Sequence, residues 1–240
     1  MKGLGTIINV IAVLAGGGIG LVVRGGMKQR YQDIMMQALG MATIFVGIVG
    51  ALQGMLTVED GSLGSQGTLL LVLSLTLGGL VGEFLNIEEK LEQFGEWLKQ
   101  KVHAEQNARF VEAFVTTSLV ICVGAMAIVG ALEDGLNGDA NMLIIKSALD
   151  FAIVIVFAST LGVGSLFSAI PIAIWEGGIT LAATLIAPFL SDALITDLSA
   201  VGSVLIFGVG VNLLFDRKIR VGNLLPALLG PVLYHIHIIL

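Results

Sequence analysis

The sequence predicts an all-α, polytopic membrane protein of about eight transmembrane helices, and three observations predict it. Apolar runs of about 20 residues recur along the whole chain, each long enough to cross a hydrocarbon core of about 30 Å. The 240 residues are 56% hydrophobic and only 12% charged, where a soluble domain carries about 25% charged residues. The basic residues gather in three connections, those after the first, third and seventh runs. Glycine is abundant and proline scarce, at 32 and 4 residues, so the chain does not read as a low-complexity linker. The single Cys122 excludes an internal disulfide framework.

The first run, GTIINVIAVLAGGGIGLVV, follows Lys2 almost at once. It lacks the basic n-region of a signal peptide and reads as a spanning helix rather than a cleaved leader. The runs lie near 4–23, 37–56, 67–86, 111–132, 149–169, 171–190, 196–215 and 222–239. The fifth and sixth are almost continuous. Pro171 suits the first turn of a new helix, where its missing N–H costs nothing, so a tight turn is expected at Ser168–Pro171. Without that turn the count is seven.

Ten of the twelve Lys and Arg fall in three connections: Arg24, Lys28 and Arg30; Lys90, Lys99, Lys101 and Arg109; Arg217, Lys218 and Arg220. The alternate connections carry acids: Glu59 and Asp60; Glu133, Asp134 and Asp139; Asp192 and Asp197. The positive-inside rule makes the basic connections cytoplasmic. Both termini are then outside, in a multi-pass membrane protein. The third connection contains Ile87, Leu91, Phe94, Leu98 and Val102 at helical spacing. This predicts an amphipathic helix over about 86–109, either at the cytoplasmic interface or packed on neighbouring loops.

The chain reads as a single transmembrane domain, 1–240, with internal repetition. IVGAL occurs at 48–52 and 128–132, and GGGIG at 16–20 resembles GGLVG at 78–82. The repeat unit is a two-helix hairpin, 1–60 and 66–135, followed by a divergent C-terminal half, 142–240. Repeats are common in transporter folds, with sites between them, and also arise by plain duplication. Gly16 and Gly20, Gly50 and Gly54, and Gly78 and Gly82 each place small residues on one helix face. Lipid tails are as apolar as Leu, so helices associate through close backbone approach, which glycine permits. The same faces suit a homodimer. No strand precedes them, which excludes a dinucleotide-binding loop.

Glu176 stands in the apolar stretch IPIAIWEGGITLAATLIAP. An ionised carboxylate in hydrocarbon costs roughly 2.5–3.5 kcal/mol on insertion scales, so it is expected to face protein or water. Gly177 and Gly178 are expected to loosen the helix beside it. Ser159, Thr160 and Ser168 precede it, and Asn9 and Asn212 are amides at membrane depth. Together these residues suit a path for a cation, a proton or a polar solute. The plainer reading is that each bonds a neighbouring helix. Lys146 lies four residues before Asp150, and a local pair on one helix face is the expectation there. His235 and His237 would share a face only on a strand, so a metal site is not expected. No nucleophile–base set, cofactor motif or nucleic-acid-binding pattern is present, and the chain does not read as an enzyme.

The stretches GTIINVIAVLAGGGIG, GGLVGEFLNIEEKLEQFG, VICVGAMAIVGALEDGL, SLFSAIPIAIWEGGITL and LSAVGSVLIFGVGVNLLFDRKIRVGNLLPALL carry a resemblance to the YqgA/YdfK-like family of bacterial integral membrane proteins of unknown function. The resemblance covers nearly the whole chain and implies the polytopic architecture. It implies no activity. It also implies that Gln can stand at position 176, where polarity matters before charge. The functional expectation is a transporter or channel for a small ion or polar solute, with its path between the hairpins. The alternative is a structural or regulatory membrane protein that docks other membrane helices. The lipid bilayer is the surrounding partner in both.

Overall fold

The computed structural model describes residues 1–26, 28–59, 61–122, 124–215 and 219–239. In chain order the elements are α1 (Leu4–Gly26), α2 (Gln29–Met55), β1 (Leu56–Glu59), β2 (Ser62–Ser65), α3 (Thr68–Leu85), α4 (Ile87–Lys101), α5 (Phe110–Cys122), α6 (Ala125–Asn137), α7 (Asn141–Thr160), α8 (Ala169–Ile186), α9 (Asp192–Phe215) and α10 (Leu229–Ile239). Two 3-10 segments, Val163–Ser168 and Val221–Leu228, lead into α8 and α10. Six helical segments among the described residues are long and apolar enough to cross a membrane. The pair α5–α6, bent by 63°, makes a seventh if it crosses as one. The protein is a polytopic helical membrane protein. Among the charged residues of the connections, Asp60, Arg217 and Lys218 lie outside the described residues, as does the side chain of His237.

The helices are patterned for lipid. On α1, Ile7, Ile11 and Leu14 are exposed while Asn9, Val13, Gly16 and Gly20 are buried. On α8, Ile174, Leu181 and Leu185 are exposed while Glu176, Thr180 and Ala183 are buried. Large apolar side chains lose nothing by facing lipid, so small and polar residues take the interior and bring the backbones together.

Several boundaries differ from those the apolar runs suggest. The run at 149–169 belongs to a helix that starts earlier, at Asn141. The Asp139 carboxylate accepts the Asn141 N–H at 3.0 Å, an Asx turn that opens the helix within a polar stretch. Lys146 and Asp150 therefore lie inside α7. That helix ends before Gly162, whose φ of +108° is open only to glycine. The run at 111–132 divides between α5 and α6, and the run at 222–239 is a 3-10 segment followed by 11 helical residues. After α2 the chain makes a two-stranded antiparallel hairpin, Leu56 opposite Ser65 and Glu59 opposite Ser62. Gly61, which precedes Ser62, has φ +76°, a conformation that glycine supplies in tight hairpin turns. The helix expected over about 86–109 spans 87–101 and is packed: Leu98 is buried with Ala104, Phe110 and Phe114.

The chain forms two compact units, each discontinuous in sequence. The first gathers the described residues of Met1–Leu39 with Leu91–Cys122 and Met126–Pro188. The second gathers Gly40–Lys90 and the described residues from Phe189 onward. The boundary after Leu39 thus falls within the first hairpin, 1–60.

In the first unit α1 lies along α7 with the two chains running in the same direction. A Cβ added at Gly5 would stand 2.7 Å from Leu143, at Gly16 2.6 Å from the Phe151 carbonyl oxygen, and at Gly20 2.5 Å from that of Ile155. Only glycine allows that approach. In the second unit α2 runs antiparallel to α9. A Cβ at Gly47 would stand 2.5 Å from the Phe207 nitrogen and one at Gly54 2.7 Å from Ala200, while Gly50 faces the Ser203 hydroxyl. Gly78 and Gly82 of α3 lie against Ala227 and Asn223 of the second 3-10 segment. The two 3-10 segments open alike, VGSL and VGNL. In each the glycine abuts a neighbouring chain, Gly164 at Phe110 and Gly222 at Glu88.

Candidate functional site

Three helices of the first unit bring four polar side chains to one buried point. Lys146 and Asp150 are one turn apart on α7 and so share a face. Asn9 projects from α1 and Glu176 from α8. Asn9 and Glu176 have no exposed surface, and Asp150 and Lys146 keep only 4% and 5%. The Lys146 ammonium pairs with the Asp150 carboxylate, lies 3.3 Å from Glu176 Oε1 and donates to the Ile121 carbonyl oxygen at 2.8 Å. That carbonyl is in the last turn of α5, where the helix leaves its carbonyls without intrahelical partners and the macrodipole favours a cation. The Asn9 amide nitrogen donates to Asp150 Oδ2 at 3.0 Å and to Glu176 Oε1 and Oε2 at 2.9 and 3.1 Å. Its own oxygen, Oδ1, is buried without a hydrogen-bond partner.

The local pairing expected for Lys146 and Asp150 is present, but it is one side of a larger cluster that takes in Glu176 and Asn9. Two carboxyl groups face one ammonium, so with both acids ionised the formal charge is −1 in a site that solvent does not reach. Isolated buried charge is very costly, and each charge here is offset by a partner of opposite sign or an amide donor.

Polar groups continue from the cluster toward one end of the unit. The Thr6 and Thr180 hydroxyls are 3.4 Å apart, and Thr180 donates to the Ala131 carbonyl at 3.1 Å. Beyond them the fully buried Asp134 accepts the Gly3 and Gly5 N–H groups at 3.1 and 2.8 Å. It satisfies unpaired donors at the start of α1 and places a negative charge at the positive end of that helix. Toward the other end the cluster meets an apolar layer of Val13, Ile121, Val154, Ala169 and Ile172.

The remaining sequence candidates are placed differently. α8 continues unbroken through Gly177 and Gly178, so the expected loosening beside Glu176 is absent; the chain breaks instead at Gly162, between α7 and α8. A Cβ at Gly177 would reach only Thr6, at 3.9 Å, and one at Gly178 would meet nothing. The buried hydroxyls of Ser159, Thr160 and Ser168 donate to carbonyls of their own segments, Val156, Val156 and Ser165, at 2.8, 2.8 and 2.7 Å. This is the usual back-bonding of hydroxyl residues in helices. Asn212 belongs to the second unit, where its amide both donates to and accepts from the Ile219 backbone at 2.8 Å. Asp197, also in the second unit, pairs with His235 at 2.7 Å. Asp197 borders a cavity of about 520 Å³ whose wall includes Gln66, Leu69, Leu73 and Tyr234.

Lys146, Asp150, Thr6, Thr180 and Asp134 are the participants that sequence reasoning did not assign to the site. The signal for Lys146 was a cation and an acid at helical spacing in a run that the polar Asn141 disguises as a loop. The signal for Asp134 was an acid at the end of an apolar run, and the structure places it within α6.

A family model described as "Protein of unknown function (DUF554)" matches residues 4–236. The chain is similar to the uncharacterized membrane protein YdfK of Bacillus subtilis (strain 168), 34% identical over 235 residues that cover 97% of this chain and 96% of that protein. It is also similar to the uncharacterized protein YqgA of Escherichia coli (strain K12), 30% identical over 234 residues, 94% and 93% of the two chains. No solved structure matches. With the family match running from the start of α1 into α10, past every residue of the buried cluster, this multi-pass membrane protein belongs to the DUF554 family of proteins of unknown function.

Proposed function

We propose that the protein moves a small ion or polar solute across the bacterial cytoplasmic membrane and that the Asn9–Lys146–Asp150–Glu176 cluster is its binding site. The observation that carries this reading is the cluster itself. Ionisable residues inside membrane spans are expensive, and where they converge in a protein interior they mark ion and proton pathways. The polar steps through Thr6, Thr180 and Asp134 supply a route to one end, and the apolar layer at Val13, Val154 and Ile172 closes the other. Such a site, lined by polar groups toward one side, sealed by apolar ones from the other and closed to solvent, corresponds to an occluded state of an alternating-access cycle.

The packing supports the topology of eight crossings with both termini outside. α1 and α7 run in the same direction. If α2 and α3 each cross once, the bent pair α5–α6 must cross once as well. The segment after α9 then makes the last crossing. The polar end of the cluster faces outward in this arrangement, beside the acidic connections.

The alternative, a helix-docking structural protein, rested on the glycine faces. Gly16, Gly20, Gly50, Gly54, Gly78 and Gly82 are all occupied by other parts of the same chain, which leaves those faces closed to an outside helix or to a second copy.

The test is flux in liposomes reconstituted with the purified protein, screened over protons, alkali cations, small anions and amino acids. Transport of one class that is lost in Glu176→Gln is expected. No flux of any class, with the variant indistinguishable from the parent, would remove the reading.

A further inference from the structure

We propose that the buried cluster is a one-proton site in which Glu176 takes up a single proton from water. As the identity of the coupling ion this deepens the transport reading and rests on it.

The argument begins with the count of charges. The groups facing Glu176 come from three elements: Asn9 on α1, Lys146 and Asp150 on α7, and the C-terminal turn of α5, where Ile121 offers its carbonyl and Cys122 its thiol. Two carboxylates and one ammonium leave one negative charge over, and one proton removes it. A metal cation is a poorer fit. The place between the two carboxylates is held by the Lys146 ammonium, which touches both. A hard cation would require several oxygens there in place of the ammonium.

Geometry selects the carboxylate. Asp150 is the closer partner of Lys146 and lies on the same helix. Glu176 is reached across helices at 3.3 Å, and both of its oxygens lean on the Asn9 amide. Glu176 is therefore the acid that Lys146 balances less well.

Asn9 supplies the second observation. In the ionised site its nitrogen serves both carboxylates and its buried Oδ1 has no partner, an arrangement that costs free energy. Both Glu176 oxygens accept from that one nitrogen, which Asp150 shares. Asn9 and Lys146 thus offer fewer donors than two ionised carboxylates can accept. Protonation of Glu176 lowers that demand, while Asp150 keeps the ammonium. Removing the charge also removes the cross-helix pull of Lys146 on α8, which links proton uptake to the side-chain tie between α7 and α8. A chain with Gln at 176 would be balanced by Lys146 and Asp150 alone and would hold no exchangeable proton.

The experiment is infrared difference spectroscopy of the full-length protein in lipid, titrated with acid, which reads the C=O stretch of a protonated carboxyl apart from carboxylate bands. Exposed acids protonate at low pH as well, so the expected signal is a separate C=O band at the higher frequency of a buried, water-free carboxyl, absent in Glu176→Gln and kept in Glu92→Gln, an exposed control. Lys146→Met leaves two carboxylates unbalanced, and the band should double. A band that is missing in the parent, or unchanged in Glu176→Gln, overturns the proposal. The two readings fail separately. A Glu176 band without any flux leaves the proton site standing and ends the transport reading. Flux without the band, driven by an alkali cation at fixed pH, does the reverse.

Discussion

Lys146 on α7 reaches Glu176 on α8 across 3.3 Å while also holding Asp150 one turn along its own helix. The ammonium therefore belongs to neither carboxylate alone, and it ties two membrane helices together at a point closed to solvent. Removal of one partner from a buried ion pair costs ~3–5 kcal/mol, because the other charge is left uncompensated. Lys146→Met should fall in that range, read as a lowered unfolding midpoint in detergent. The double variant Lys146→Met with Asp150→Asn restores the native formal charge. It should recover a clear part of the loss, whereas two independent sites would add their losses.

Asn9 gives a second test. Asn9→Leu keeps much of the volume but strips the donors from both carboxylates, a loss of about 1–3 kcal/mol for buried groups left unpaired. Asn9→Asp replaces the donors by a third carboxylate beside two others. Like charges disfavour the ionised form, so the folded variant holds protons more tightly than its unfolded chain. Its deficit against the parent should therefore shrink as pH falls and widen as pH rises. The measurement is the thermal midpoint of both proteins across a pH series. A deficit independent of pH would mean that position 9 is not electrostatically coupled to the acids.

How much of this was legible beforehand varies residue by residue. Apolar length alone located the spans that carry α1, α3 and α9, because hydrocarbon thickness sets it. It misjudged α7, whose first turns contain Asn141 and Lys146 and so look solvated. Polar residues inside a span carry no sign of whether protein or water surrounds them. Glu176 was legible as an expensive residue, but its partners were not. Asn9, Lys146 and Glu176 are separated by 137 and 30 positions in sequence (146 − 9 and 176 − 146), and only packing brings them together. The hydroxyls of Ser159, Thr160 and Ser168 misled for a related reason, since back-bonding to the helix satisfies them.

Asp134 anchors the start of α1 through two backbone N–H groups. Asp134→Ala leaves both donors buried and unpaired and removes the charge from the helix end, about 1–3 kcal/mol. Asp134→Asn keeps an acceptor and should lose less. Amide hydrogen exchange provides the local readout. Gly5 should exchange faster in Asp134→Ala, while amides in the second unit stay unchanged. Uniformly faster exchange in both units would mean that Asp134 acts on the whole fold and not on the first turn of α1.

Gly178 and Gly20 form a contrasting pair that tests what glycine is for in these helices. At Gly20 an added Cβ would stand 2.5 Å from the Ile155 carbonyl oxygen and 2.8 Å from the Ala158 Cβ, so Gly20→Ala must push α1 off α7. Overpacking of this kind costs about 1–3 kcal/mol. At Gly178 the added Cβ meets nothing and the backbone is already helical. Gly178→Ala should therefore stabilise by about 1 kcal/mol through helix propensity. It should also leave flux through the Glu176 site unaltered, because that site does not depend on a loosened α8. Thermal midpoints of the two variants moving in opposite directions, with flux preserved in Gly178→Ala, are the expected result. Loss of flux in a stabilised Gly178→Ala would show that α8 must unwind beside Glu176 during the cycle, and the continuous helix would then be a resting state of the transporter.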